Sequence, residues 1–213
     1  MIWILSIVLS SCTESSYEVK NYFQSGKLES AIRFKSKSDT LNYTAVFYRE
    51  DGTVKCTGQR INGKKSGKWR YYNNSNQIIS IENFCNGLLC DTQAAFYPDG
   101  MLDRYKILDQ PIPCFCDTQL HYGFTQVAFW RNRKLKEINH IKNCQFNGKT
   151  QLFDSLNGRL YEEYYEVNGV KNGAYSYHNP DGSFIKGQYR NGNEHGNWTH
   201  ALKDSIIDMW KYK

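Results

Sequence analysis

A glycine-centred turn recurs along this 213-residue chain at a nearly fixed step, and that periodicity limits the fold more than any other feature. The turn anchors are Gly26, Gly52, Asn76, Gly100, Arg133, Gly158 and Gly182, separated by 26, 24, 24, 33, 25 and 24 residues. Two places after each anchor stands an apolar residue: Leu28, Val54, Ile78, Leu102, Leu135, Leu160 and Phe184. Four places before it stand Tyr22, Tyr48, Tyr72, Phe96 and Phe129, then Asp154 and His178. A fixed period of this size means a small unit copied in tandem, each copy burying its apolar surface on its neighbours.

A second turn falls inside most units, at Asn62-Gly63, Asn86-Gly87, Asn147-Gly148, Asn168-Gly169 and Asn191-Gly192. Asn-Gly between strand-like runs is a strong hairpin signal, because both residues tolerate positive φ. Around these turns polar and apolar residues alternate, as in Lys68-Trp69-Arg70-Tyr71, and no long run carries helical spacing. Aromatic residues make up 15% of the chain, enough to build a core without helices. The expected fold is all-β: tandem β-hairpins forming an elongated, twisted antiparallel sheet, with Val54, Ile78 and Leu102 in one row.

The run Phe47-Tyr48-Arg49-Glu50-Asp51-Gly52-Thr53-Val54, followed by Asn62-Gly63-Lys64-Lys65-Ser66-Gly67-Lys68-Trp69-Arg70-Tyr71-Tyr72, resembles the MORN repeat. The bacterial variant is filed as the YwqK-type antitoxin family and is common in envelope lipoproteins. The match returns at 165–175 and 177–198 and covers roughly residues 20–105 and 127–200. It departs where glycine is lost at Asn76 and Arg133, and where the aromatic is lost at Asp154. The resemblance implies an open single-layer run of hairpins with aromatic ladders. It also implies binding rather than catalysis, of proteins and in some members of membrane lipids.

The N-terminus reads as an address. Ile2 to Leu9 is an apolar run too short to span a bilayer as a helix, which needs about 20 apolar residues. It ends in Leu9-Ser10-Ser11-Cys12, which resembles the lipobox of bacterial lipoproteins, although no Lys or Arg precedes the run. The resemblance implies a signal peptide over 1–11, lipid (palmitate among the chains) on Cys12, and a tether over 12–19. The expected location is then a bacterial cell envelope, lipid-anchored to a membrane. Repeats would follow over 20–105 and 127–213, parted by an irregular insert over 106–126 that holds Pro111 and Pro113. Setting Cys12 aside leaves six cysteines for up to three bridges, with Cys85 and Cys90 flanking the Asn86-Gly87 turn as the foremost pair. The alternative is that the six are buried thiols acting as small hydrophobes.

Function is less legible. No glycine-flanked nucleophilic serine, phosphate-cradling loop, zinc-ligand spacing or paired general acid and base stands out, so the chain reads as non-catalytic, with no cofactor and no metal. The charge is +6, from 27 Lys and Arg against 21 Asp and Glu, and nucleic acid is not an expected partner. Basic residues cluster at Arg60, Lys64, Lys65, Lys68 and Arg70, and again at Arg131, Arg133, Lys134 and Lys136. Candidate contact residues are the aromatic column Tyr48, Tyr72 and Phe96, with Trp69 and Trp198. Two function classes follow. One is an envelope-anchored scaffold for a protein or glycan partner. The other is a membrane-surface binder of anionic headgroups. A toxin-neutralising partner is a more distant third.

Overall fold

The computed structural model describes residues 16–112, 122–203 and 205–212. Among them every regular element is a β-strand, and the strands form one open antiparallel sheet. In chain order the first nine are β1 (Tyr17–Tyr22), β2 (Leu28–Phe34), β3 (Tyr43–Tyr48), β4 (Val54–Ile61), β5 (Lys64–Tyr72), β6 (Ile78–Cys85), β7 (Leu88–Leu89), β8 (Thr92–Phe96) and β9 (Leu102–Leu108). The second nine are β10 (Gly123–Phe129), β11 (Leu135–Lys142), β12 (Gln145–Phe146), β13 (Gly148–Phe153), β14 (Leu160–Val167), β15 (Val170–His178), β16 (Ser183–Arg190), β17 (Asn193–Leu202) and β18 (Ser205–Tyr212). Neighbours in sequence pair along the chain, so the sheet is a meander of hairpins. The two-residue strands β7 and β12 are short segments set just ahead of β8 and β13. β6 therefore pairs with both β7 and β8, and β11 with both β12 and β13.

The two turn types account for the period. In the glycine turns the anchor is left-handed and its N–H closes on the residue three back, as Gly52 does on Arg49 O at 2.9 Å. Asn76 (φ 56°) and Arg133 (φ 66°) adopt the same conformation without being glycine, Arg133 at the greater steric cost. Each turn sets the aromatic residue opposite the apolar one: Tyr48 faces Val54, Tyr72 faces Ile78 and Phe96 faces Leu102. The turn at Gly158 is a residue longer, closed by Gly158 N to Asp154 O, so Phe153 rather than Asp154 faces Leu160 and the aromatic column is unbroken.

At the Asn-Gly turns both residues have positive φ, as the tight hairpin demands: 52° and 73° at Asn62-Gly63, 50° and 84° at Asn191-Gly192. The glycine N–H then reaches the preceding hairpin, from Gly87 to Lys65 O and from Gly192 to Lys171 O. Asn147-Gly148 is not such a turn. Asn143 (φ 52°) and Cys144 (φ 62°) make it instead, and Gly148 lies in a bulge where a Cβ would come within 3.0 Å of His140.

The anticipated segment boundaries also move. Tyr17 to Val19 belong to β1 rather than to a tether. The insert is narrower than 106–126, because β9 continues to Leu108 and β10 resumes at Gly123, and these two strands pair directly. The described ends of the excursion are packed hard: Ile112 is 1% exposed and Tyr122 2%, and Ile112 exchanges backbone hydrogen bonds with Leu89. They close over one side of the sheet with Trp69, Phe84, Leu89, Leu108 and Phe124. We term this the core face. Cross-strand partners share a face and alternate residues do not. The opposite face of β2–β6 therefore carries Ala31, Val46, Thr57, Arg70 and Ile81 in one row.

Candidate functional site

The core face repeats one slot. Two residues after a positive-φ residue on the returning strand stands Trp69, Gln93, Thr150, Tyr175 or Trp198. On β5 and on β17 this slot holds a tryptophan laid flat over a glycine. A Cβ on Gly58 would fall 2.3 Å from Trp69 Cδ2, and one on Gly187 would fall 2.1 Å from Trp198 Cδ2. Only glycine leaves room for the ring. Each tryptophan is 2% exposed, so neither is available for contact with a partner, and the expectation that they are binding residues is corrected to a packing role. Trp69 stacks with Phe47 and meets Phe84 edge-on, and its Nε1 donates to Gln59 O at 3.1 Å.

Lysines fill the space left between these rings. Lys65 Nζ sits 4.5 Å from the Trp69 centroid and 4.6 Å from that of Phe84, and donates to the Tyr71 hydroxyl at 2.9 Å. Lys171, in the matching position of a later unit, lies over Tyr164 at 4.2 Å, Tyr175 at 5.0 Å and Tyr189 at 5.2 Å, and pairs with Glu162 at 3.3 Å. A cation over aromatic faces is an attractive contact, so these rings are occupied by the protein's own side chains. Burial and the carboxylates Glu166 and Glu162 push the Tyr164 phenol up to about 12. Burial and a hydrogen bond to Glu82 push Tyr71 up further. Burial also pushes up the Cys56 thiol, which keeps it protonated and unreactive.

The two basic clusters do not survive folding as patches. Strand alternation divides the first: Lys65 and Arg60 turn to the core face, where Arg60 Nη1 donates to Gly63 O, while Lys68 and Arg70 emerge on the other side. Lys64 packs beside Gly87 at the hairpin edge. The second cluster becomes mortar between turns. Arg131 lies over Tyr97 and reaches Asp99, Lys134 Nζ donates to Leu156 O, Lys136 lies over Trp130, and Arg133 holds the turn itself. Tyr48, Tyr72 and Phe96 are all half-buried ladder positions. Cys85 and Cys90 are joined by a disulfide with Cα atoms 5.8 Å apart. Cys12, Cys114 and Cys116 lie outside the described residues.

What the clusters leave is a trough on the open face of β1–β5, about 510 Å³ in volume. Ala31, Val46, Thr57 and Gly58 are short and form its floor, with Thr44 and Gln59 adding polar groups. Glu18 and Arg33, paired at 3.3 Å, form one end, and Lys68 and Arg70 the other. Among the described residues neither Lys68 nor Arg70 has an ion-pair partner. Thr44, Thr57, Gln59 and Arg33 had no standing in the sequence. The signal that could have found them is the i, i+2 spacing of Lys68 and Arg70 opposite short residues two and three strands away. Compared with known proteins, the chain matches no family model and no curated protein.

Proposed function

We propose that this protein is a non-catalytic binding scaffold of the bacterial cell envelope, held at a membrane by lipid on Cys12. On this reading it presents the open face of its N-terminal strands to a protein or glycan partner. The observation that carries the reading is the contrast between the faces. The core face packs its rings against the chain's own lysines and against Ile112 and Tyr122, while the open face keeps a trough whose cations at one end have, among the described residues, no ion-pair partner. The resemblance to MORN-type envelope lipoproteins supports the address, and the Cys85–Cys90 disulfide is consistent with an oxidising compartment.

Sedimentation with fractionated envelope tests this. Retention by an envelope fraction, lost in Val46→Trp with an unchanged melting temperature, supports the scaffold; no retention, or retention indifferent to that variant, overturns it. A second reading, binding of anionic headgroups, is favoured by Arg33, Lys68 and Arg70 sharing one face. It requires co-sedimentation with anionic vesicles that collapses as salt shortens the Debye length from about 10 Å at 0.1 M to about 3 Å at 1 M. The anchor has its own test. Cys12→Ser is expected to move the protein from the membrane to the soluble fraction or leave it unprocessed, and a native protein with an unmodified Cys12 thiol overturns it.

A further inference from the structure

The trough is long, shallow and chemically divided, and those three properties narrow its ligand. It crosses five consecutive strands, with its cations separated by the steps from β2 to β5, roughly 14 Å at one strand spacing per step. A span of that size suits a chain segment rather than a single small ion. The floor offers the hydroxyls of Thr44 and Thr57 and the amide of Gln59, beside the short apolar surface of Ala31 and Val46. Those are partners for a ligand carrying many hydroxyl groups on a C–H framework. Lys68 and Arg70 add unneutralised positive charge at one end, and Glu18 tempers Arg33 at the other.

We propose that the trough binds a segment of an acidic polysaccharide, with sugar carboxylates at Lys68 and Arg70 and sugar hydroxyls on the Thr44–Thr57–Gln59 floor. The inference rests on the scaffold reading and names its ligand class. An acidic peptide is disfavoured by the sheet itself. β2, β3 and β4 each pair with a strand on both sides, so the floor has no free ladder edge for strand addition. A membrane surface is disfavoured by shape. Interfacial binding uses apolar side chains that insert beside the charges, whereas here the apolar groups beside the cations, Ala31 and Val46, are short and recessed in the floor of a concavity.

The test is calorimetric titration of the purified chain with tetragalacturonate, alongside its fully methyl-esterified form, inorganic phosphate, an Asp-Glu tetrapeptide and anionic vesicles. Tetragalacturonate is expected to bind, and to weaken at least tenfold in Lys68→Gln/Arg70→Gln with the melting temperature unchanged. The methyl ester is expected to bind at least tenfold more weakly than the acid. Glu18→Gln is expected to strengthen binding several-fold, because it removes the acid facing Arg33. Equal binding of acid and ester overturns the proposal, as does indifference to the double substitution. Stronger binding of the tetrapeptide, the vesicles or phosphate overturns it in favour of that class. If Val46→Trp abolishes envelope retention while tetragalacturonate never binds, the scaffold reading stands and the glycan inference falls.

Discussion

The slot that holds tryptophan on β5 and β17 holds Gln93 on β8 and Thr150 on β13, and the two solutions are not equivalent. Trp69 and Trp198 bury large rings and each requires a glycine beneath. Gln93, 6% exposed, occupies the same slot by hydrogen bonding. Its Nε2 donates to Cys90 O at 3.0 Å and Asn83 O at 3.3 Å, and its Oε1 accepts from Asn83 N at 3.2 Å. Thr150, 3% exposed, donates to Glu166 at 2.9 Å. The tryptophan units are thus held by shape and apolar area, and the other two by satisfied polar groups with a covalent clip nearby. A repeat position keeps its place from unit to unit, and its chemistry can change provided its partner across the hairpin changes too.

The sharpest way to break this comparison is a double-mutant cycle at a tryptophan unit. Trp69→Ala is expected to cost about 4 kcal/mol, as large core truncations do. Gly58→Ala is expected to cost about 3 kcal/mol by driving a methyl into the ring. Together they are expected to cost no more than Trp69→Ala alone, since removing the ring removes the clash. Additive losses in urea denaturation would mean Gly58 has a role apart from the ring. At the polar slot on β8, Gln93→Leu keeps the bulk but orphans Asn83 N–H and Cys90 O, and a loss of about 2 kcal/mol is expected. A neutral result would show that the slot responds to volume alone.

Smaller effects sharpen the contrast. Reducing Cys85–Cys90, a bridge of sequence separation 5, is expected to cost about 2 kcal/mol from loop-closure entropy. Hydrogen exchange should register that loss in β6–β9 and leave the Trp198 hairpin protected. The smallest change is alkaline. The raised phenols of Tyr164, Tyr71 and Tyr175 bind their protons more tightly folded than unfolded. Their contribution is complete below about pH 10, the ordinary phenol value, and is lost as pH rises through the folded values, from about 12 for Tyr164. Melting temperature against pH, followed with phenolate absorbance, should therefore be flat until about pH 10 and then fall. Phenolate assigned to Tyr71, Tyr164 or Tyr175 at pH 10 in the folded protein would contradict the burial described.

Much of the fold was readable because turns are local. Positive φ at Gly52 or Asn62-Gly63 is written in the residues themselves, and the facing of Tyr72 on Ile78 follows from the turn. The errors lie where one residue of loop length decides the outcome. The extra residue before Gly158 moved the column from Asp154 to Phe153, and Asn143-Cys144 took the turn that Asn147-Gly148 advertised. The burial of Trp69 is not legible in the residue itself, because the feature that buries it is an empty position, Gly58. The sign was nonetheless present, since Gly58-Gln59 precedes Trp69 as Gly187-Gln188 precedes Trp198. The trough was harder still to read, because it is assembled from five strands and depends on which residues are short.

Gly58 and Trp69 stand eleven residues apart on one hairpin, and so do Gly187 and Trp198. Lock and key are therefore inherited together. A tandem copy with its breakpoints in the glycine turns transmits a working unit, while one cut at the Asn-Gly turn separates the ring from the gap that admits it. Along such a gene, tolerated insertions and deletions should begin and end at the glycine turns and avoid the stretch from Gly58 to Trp69. Lengthening the sheet by a 24-residue unit is then a small evolutionary step, whereas shifting its frame by half a unit is not.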